Sequence, residues 1–254
     1  MADFRAPRLH VAAPLAVGTT TALSAEQTNY LANVLRLGVG DPILAFNGRD
    51  GEFSAEIAAA GRKGLALAVT KRTRPPQAAP EVDLLFAPLK HARLDYLAQR
   101  AVEMGAGRLR PVLTRRTQVA RLNLERLEAN AIEAAEQCGA VWTPEIRPLE
   151  RLDRTLASWP GGRPLVFCDE QAPSSPPIET LAGAVGAHGV GVLIGPEGGF
   201  DEAERSTILR VPGALRLSLG PRILRADTAA VAALALVQAT LGDWPTLGRK
   251  AGAR

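Results

Sequence analysis

Val190-Gly-Val-Leu-Ile-Gly-Pro-Glu-Gly-Gly-Phe200 is the stretch on which the fold turns. An apolar run of strand length passes into a glycine-rich turn, and a helix is expected to begin near Asp201. A strand, a turn and a helix in that order put the turn at the carboxyl end of a parallel strand, where open α/β sheets bind ligands. Gly195, Gly198 and Gly199 would let a ligand approach the backbone closely. The turn is neither G-x-G-x-x-G nor a Walker loop with its lysine, which disfavours a phosphate cofactor and a Rossmann dehydrogenase. On spacing alone, a tight strand-to-helix connection with no ligand stays open as the alternative.

The same alternation continues on either side. Leu215–Leu219 reads as a strand, Gly220-Pro221 as a bend, and Asp227–Leu241 as an alanine-rich helix. Asp227 would complement the positive end of that helix. Arg225, just before it, opposes the dipole and so predicts a ligand or a carboxylate partner. Upstream, Val82–Ala87, Leu109–Leu113 and Leu165–Cys168 are short apolar runs, as buried parallel strands are. Leu94, Leu97, Ala98, Ala101 and Val102 repeat at helical spacing within Arg93–Met104, and Gly105 is placed to end that helix. Leu124–Cys138 predicts another, stopped by Gly139. The fold class is therefore α/β, a layered sheet with alternating helices.

The rhythm differs before residue 74. Asp41–Phe46 and Glu52–Ile57 flank Asn47-Gly-Arg-Asp-Gly51, which predicts a hairpin with a loop of several residues. Leu65–Val69 predicts a further strand, and Ser24–Leu35 a helix capped by Ser24. This is a small β-rich domain, read as a barrel. Lys71-Arg-Thr-Arg-Pro-Pro-Gln-Ala-Ala-Pro80 follows. Its prolines exclude a helix or a central strand, so it reads as an interdomain linker. The division expected is 1–73 for the first domain, 74–80 for the linker, 81–247 for the second domain and 248–254 for a tail.

The chain has 254 residues, with 30 basic and 26 acidic side chains and a net charge of +4. The distribution says more than the total. Arg108, Arg110, Arg115, Arg116, Arg121 and Arg126 cluster around a single acid, Glu125, and clustered guanidinium groups suit phosphate; a solvated surface is the alternative. Cys138 and Cys168 have no paired spacing and read as reduced thiols in a cytosolic protein. His10, His91 and His188 show no ligand spacing, so no metal is expected. The N-terminus lacks an apolar core of signal-peptide length, and Ala229–Ala239 is too short to span a bilayer, so no membrane partner is expected.

Gly195-Pro-Glu-Gly-Gly-Phe200 followed by Leu219-Gly-Pro-Arg-Ile-Leu-Arg-Ala-Asp-Thr-Ala229 resembles the ribosomal RNA small-subunit uridine-N3 methyltransferase family, of the SPOUT class. The similarity extends to Tyr30–Asp41 and Phe46–Gly48, then to Pro88–Lys90, Ala101–Gly105, Arg115–Thr117 and Ala134–Cys138. Asn29 stands where that family often carries histidine, and Ala226-Asp227 where Thr-Glu is commoner, which shortens the carboxylate's reach by one methylene.

The resemblance implies a trefoil knot in the second domain, a PUA-like RNA-binding barrel in the first, and a homodimer with sites completed across its interface. It implies S-adenosylmethionine bent into the loops of Ile194, Gly195, Pro196, Glu197, Gly198 and Gly199, of Leu217, Ser218, Leu219 and Gly220, and of Ile223, Leu224, Arg225 and Thr228. The target implied is N3 of a uridine in the decoding region of 16S rRNA in the small ribosomal subunit. Arg225 is then the group that stabilises charge on the uracil oxygens, and Asp227 or Glu197 is the proton acceptor. Arg5, Arg8, Arg36, Lys90, Arg115 and Arg116 are the expected RNA contacts, and the cytoplasm is the expected location. A knotted enzyme acting on a ribose 2′-hydroxyl and a non-catalytic RNA-binding protein are the competing readings. The N-terminal barrel and the Arg-Ile-Leu-Arg motif weigh against the first, and the intact glycine loop against the second.

Overall fold

The structure is a computed structural model and describes residues 6–58, 64–119, 121–173, 175–184 and 188–244. Arg5 and the tail beyond residue 247 lie outside them. The chain divides into two compact units, one formed by residues up to 78 together with 135–143, the other by 79–134 and everything from 144 onward. The sequence predicts one continuous stretch, 81–247, for the second domain; the second compact unit is instead interrupted at 135–143. The segment 135–143 belongs with the N-terminal unit.

The N-terminal unit contains β1 (Arg8–His10), β2 (Thr20–Ala22), α1 (Ala25–Asn29), β3 (Pro42–Phe46), β4 (Glu52–Ala58) and β5 (Ala66–Arg74). They form a five-stranded sheet in the order β1-β3-β4-β5-β2, with β1 parallel to β3 and the other pairs antiparallel. The hairpin β3–β4 turns through Asn47–Gly51, where the Asn47 side chain accepts from the Arg49 and Asp50 N–H groups. This is an Asx arrangement that satisfies the loop locally. Gly51 has φ +98°, and a Cβ there would lie 2.4 Å from the Arg74 carbonyl oxygen, so only glycine fits. Alternate residues of β4, Phe53, Ala55 and Ile57, enter a core with Leu9, Leu31, Ile43 and Leu67.

Two expectations fail here. Lys71–Arg74, read as linker, are the end of β5, paired with β4. The prolines forbid strand only from residue 75 onward, and Pro75 stops β5 without shortening it. Ser24 does cap α1, in a capping box with Gln27. The helix then widens to a π turn over Tyr30–Val34, with the Leu35 N–H donating to the Tyr30 carbonyl at 2.9 Å. Arg36 ends it at φ +56°.

The second unit contains β6 (Val82–Phe86), α2 (His91–Glu103), β7 (Arg108–Leu113), α3 (Leu124–Cys138, whose last turn groups with the other unit), β8 (Glu145–Ile146), β9 (Glu150–Arg151), α4 (Leu152–Ala157), β10 (Leu165–Cys168), α5 (Pro177–Ala182), β11 (Val190–Ile194), α6 (Glu202–Leu209), β12 (Ala214–Leu217) and α7 (Ala226–Thr240). The sheet order is β12-β10-β11-β6-β7-β8, with β9 also on β7, and all pairs are parallel. Every residue of β6 and β11 is buried, as strands covered on both faces must be. Alternation of strand and helix predicts this layering. The two-residue strands β8 and β9 carry too little pattern to be predicted. Among the described residues, no helix is long and apolar enough to cross a membrane.

Helix α7 packs against α2 and β11. Gln238, completely buried, joins the ends of both helices. Its amide nitrogen donates to the Met104 and Gly105 carbonyls at 3.0 and 3.1 Å, and its oxygen accepts from the Asp243 N–H at 3.1 Å. Gln238→Leu keeps the volume but strips these partners, so a loss of about 1–3 kcal/mol is expected. Urea denaturation at unchanged m-value would register it; an unaltered midpoint would mean that the amide contributes nothing.

Candidate active site

The three loops that leave β10, β11 and β12 at their carboxyl ends converge on one cavity of about 480 Å³, within the ~300–1,000 Å³ common for ligand sites. The β10 loop contributes Cys168, Asp169 and Glu170. The β11 turn contributes Ile194, Gly195, Pro196, Glu197, Gly199 and Phe200. The β12 loop contributes Leu217, Ser218, Leu219 and Gly220, then Ile223, Leu224 and Arg225 before α7 begins. Of the residues expected around the cofactor, Gly198 and Thr228 lie in the same segments without lining the cavity. The strand expected to reach Leu219 stops at Leu217, and this frees Ser218 and Leu219 for the wall.

The walls suit a nucleoside bearing a charged tail. Ile194, Leu217, Leu219 and Leu224 are apolar, while Asp169, Glu170 and Ser218 carry acceptors. The shape of the turn depends on glycine. A Cβ at Gly195 would lie 2.6 Å from the Phe200 ring, and Gly199 has φ +69°. Phe200 is in turn fixed edge-on against Phe167, with ring centroids 5.3 Å apart. Asp201 and Glu204 form a capping box that starts α6 directly after the turn.

The β10 loop is held by a buried charge cluster that sequence reading did not find. Arg205 donates to both Asp169 oxygens at 2.5 and 3.0 Å, and Arg216 donates at 2.9 Å. Burial alone would raise the Asp169 carboxyl. The hydrogen bonds from Arg205, the Gln171 N–H and Arg216 outweigh it and hold the group below its ordinary value, hence charged.

Arg93 is the second residue missed. It donates from Nε and Nη2 to the two Asp227 oxygens at 3.0 and 3.1 Å, and from Nη1 to Glu197. The glycine turn and the first turn of α7 are therefore tied through one guanidinium. The clue was available, because Arg93 is a cation in the first turn of α2, the same opposition to the dipole that singled out Arg225. Arg225 differs. It precedes α7 as its N-cap, is exposed, and its side chain has no hydrogen-bond or ion-pair partner among the described residues.

Hydrogen bonding from Arg93 holds the Asp227 carboxyl below the usual carboxylate range. A depressed carboxyl contributes its stabilisation above its unfolded value, near pH 4, and loses it as pH falls further. The tie should therefore be intact at neutral and mildly acidic pH. Titration calorimetry is expected to show cofactor-site affinity flat from pH 8 to about 5 and falling below about 4. A midpoint near pH 6 would rule out Asp227 as the group responsible.

The arginines expected to face RNA are dispersed. Arg8 is a correction: it is buried, and each of its three guanidinium nitrogens is engaged within the N-terminal unit, by Glu52 and by the Ala135, Glu136 and Ala140 carbonyls. It is out of reach of phosphate. Arg108 and Arg110 likewise pair with Asp83, which is fully buried, and Arg126 pairs with Asp95. The cluster read from the sequence is thus largely a set of internal ion pairs. Arg115 and Arg116 are exposed beside the glycine turn, where Arg116 donates to the Gly198 carbonyl at 2.6 Å and Arg115 pairs with Asp201. Lys90 and Arg36 are exposed on their respective units. Among the described residues no cluster of His, Cys, Asp and Glu could hold a metal ion.

Residues 76–238 match the model of an RNA methyltransferase domain, and residues 23–70 that of an RNA methyltransferase PUA domain. The ribosomal RNA small subunit methyltransferase E of Synechocystis is 31% identical, over 92% of this chain and 78% of its own. That of Rickettsia conorii is 29% identical, over 91% and 94%. A crystal structure of the Neisseria gonorrhoeae protein of the same name, bound to S-adenosyl methionine, superimposes with a TM-score of 0.82 at 26% identity, over 94% of this chain and all of that one.

Proposed function

Because the chain belongs to the RNA methyltransferase family that includes ribosomal RNA small subunit methyltransferase E, we propose that it methylates small-subunit ribosomal RNA from S-adenosylmethionine, at N3 of a uridine in the decoding region of 16S rRNA. One observation carries the proposal to this particular chemistry. The cavity of the three loops is bordered by a free guanidinium, Arg225, and by a carboxylate, Glu197, that is 48% exposed at its side chain.

S-adenosylmethionine, when bound, supplies a methyl group made electrophilic by the sulfonium. The residues of the chain have the other half of the problem. Uridine N3 is an imide nitrogen and carries a proton at neutral pH, so the site must favour its anion and hold it in line. Arg225 does the first by donating to a uracil carbonyl oxygen where negative charge develops. Glu197 takes the N3 proton. Between the two carboxylates, Asp227 is the poorer acceptor, because both its oxygens are held by Arg93 and its carboxyl is lowered. Asp227 instead positions Arg93.

We assign cofactor binding to the three loops, with Gly198 and Thr228 as backbone supports, and RNA contact to Arg36, Lys90, Arg115 and Arg116. A homodimer is supported by α7, on which Val231, Ala232, Ala235 and Leu236 are only half-buried on an otherwise apolar helix. A trefoil knot is supported by the path after β12. That strand lies at the edge of the sheet, yet α7 follows within a few residues and packs back on β11 and α2.

Nucleoside analysis of 16S rRNA decides the function. N3-methyluridine present in cells with the protein, absent without it, and restored by adding protein and cofactor to unmethylated subunits is the expected result. A methylated ribose in its place would overturn the assignment.

A further inference from the structure

A second cavity, of about 90 Å³, shares Pro196 and Glu197 with the first. Its other walls come from the end of β6 and the start of α2, with Leu89, Lys90 and Arg93, and from the segment after β7, with Gln118 and Val119. Both cavities lie within the second unit. Building on the methyltransferase reading above, we propose that this cavity receives the far edge of the target base and selects uracil, with Lys90 and Gln118 as its specificity-determining residues.

The edge of uracil that carries N3 presents a carbonyl, an N–H and a carbonyl in sequence. Glu197 lines both cavities and so stands where the central N–H would meet an acceptor. Arg225, on the wall of the larger cavity, serves one carbonyl. The other carbonyl then falls on the side of the smaller cavity and requires a donor there. Arg93 is oriented away from this task, since three of its five N–H groups are held by Asp227 and Glu197. Lys90 and Gln118 can supply it. Both are exposed, and neither side chain has a hydrogen-bond or ion-pair partner among the described residues. Leu89, which is buried, and Val119 add apolar surface for the face of a ring. The space is small and suits a single ring better than a purine.

Selection follows from donor–acceptor matching. Cytosine replaces one carbonyl by an amino group and lacks the N3 proton. It would set a donor against either the Lys90 ammonium or the Arg225 guanidinium and deprive Glu197 of the N3 proton. A site built to pair with a polar group discriminates strongly against an analogue that lacks it.

The test uses the full chain saturated with S-adenosylhomocysteine. Uridine, cytidine and inorganic phosphate are each titrated by calorimetry into the wild type and into Lys90→Ala/Gln118→Ala, both substitutions being at exposed positions. Uridine is expected to bind the wild type in preference to cytidine and to bind the double variant at least about tenfold more weakly, while S-adenosylhomocysteine affinity stays within about twofold. The KM for unmethylated small subunits should rise in parallel, with part recovered by Lys90→Arg. Equal uridine binding by the two proteins would overturn the proposal. So would a loss confined to phosphate, which would make Lys90 a backbone contact. The two readings also fail separately. Uridine binding lost in the variant while the wild type forms a product other than N3-methyluridine would leave the base pocket and remove the N3 assignment. N3-methyluridine formed by the variant at wild-type KM would do the reverse.

Discussion

Replacing Arg225 by alanine is expected to lower kcat for ribosomal RNA methylation by about 10²–10³, as loss of one preorganised donor to a developing oxyanion does. The expectation rests on what the side chain lacks. Most arginines around the cavity are engaged: Arg93 with Asp227 and Glu197, Arg205 and Arg216 with Asp169, Arg116 with the Gly198 carbonyl. Arg222 and Arg225 line the cavity exposed and without a side-chain partner among the described residues, and Arg225 is the one fixed at the start of α7, so its removal breaks no side-chain contact. The fold and the melting temperature should therefore be unchanged. Affinity for the cofactor should change little if Arg225 acts on the base, so the loss should appear in kcat more than in cofactor binding. Arg225→Lys should recover only part of the rate, because an ammonium cannot reproduce the planar fork. Single-turnover methylation of unmethylated subunits at saturating cofactor is the measurement. A variant that turns over at the wild-type rate would exclude Arg225 from the reaction.

Arg8→Ala is expected to destabilise the N-terminal unit by about 3–5 kcal/mol, the range for removing one member of a buried ion pair. Arg8 sits 4.5 Å above the Phe46 ring centroid and donates from Nε to Glu52 at 2.8 Å. Its remaining donors reach the Ala135, Glu136 and Ala140 carbonyls at 2.5, 2.8 and 2.6 Å. These carbonyls belong to the last turn of α3 and the loop after it, where no intrahelical N–H is available, and a cation there also complements the helix dipole. Arg74 completes the arrangement, with Nε on Glu52 and Nη1 on the Gly139 carbonyl, each at 2.8 Å. Burial would raise the Glu52 carboxyl, but the hydrogen bonds from Arg74 and Arg8 prevail and keep it low. Truncating Arg8 strands both the buried carboxylate and the carbonyls. Urea denaturation should show the loss, and Arg8→Lys should restore little of it. If Arg8 instead held an RNA phosphate, the variant would keep its stability and lose about one unit of salt slope in RNA binding.

Arg8 also illustrates which properties a sequence carries openly. The glycine turn at 195–199, the strand before it and the helix after it are local. Their signals are a period of two or of 3.6, a cap, or a backbone angle that only glycine tolerates, and each is written within a few neighbouring residues. The layered α/β arrangement and the hairpin around Asn47–Gly51 were legible for that reason, whereas the convergence of the loops on one cavity was implied only by the resemblance carried at 195–200 and 219–229. The boundary of β5 was misread because proline's veto was extended backward over Lys71–Arg74, where it does not apply.

What the sequence could not declare is pairing at a distance. Arg93 and Asp227 are 134 residues apart, and Arg8 and Ala135 are 127 apart. Whether a given arginine faces solvent, clasps a buried carboxylate or caps a helix depends on which elements pack against its own. Identical guanidinium groups at Arg8, Arg93, Arg108 and Arg225 therefore acquired different roles only when the chain closed on itself. Composition and periodicity determined that the chain forms a layered sheet with a glycine-rich turn at the carboxyl end of a strand. The tertiary structure decided which charges remain free to act there, because desolvation and partner geometry are properties of the folded neighbourhood rather than of the residue.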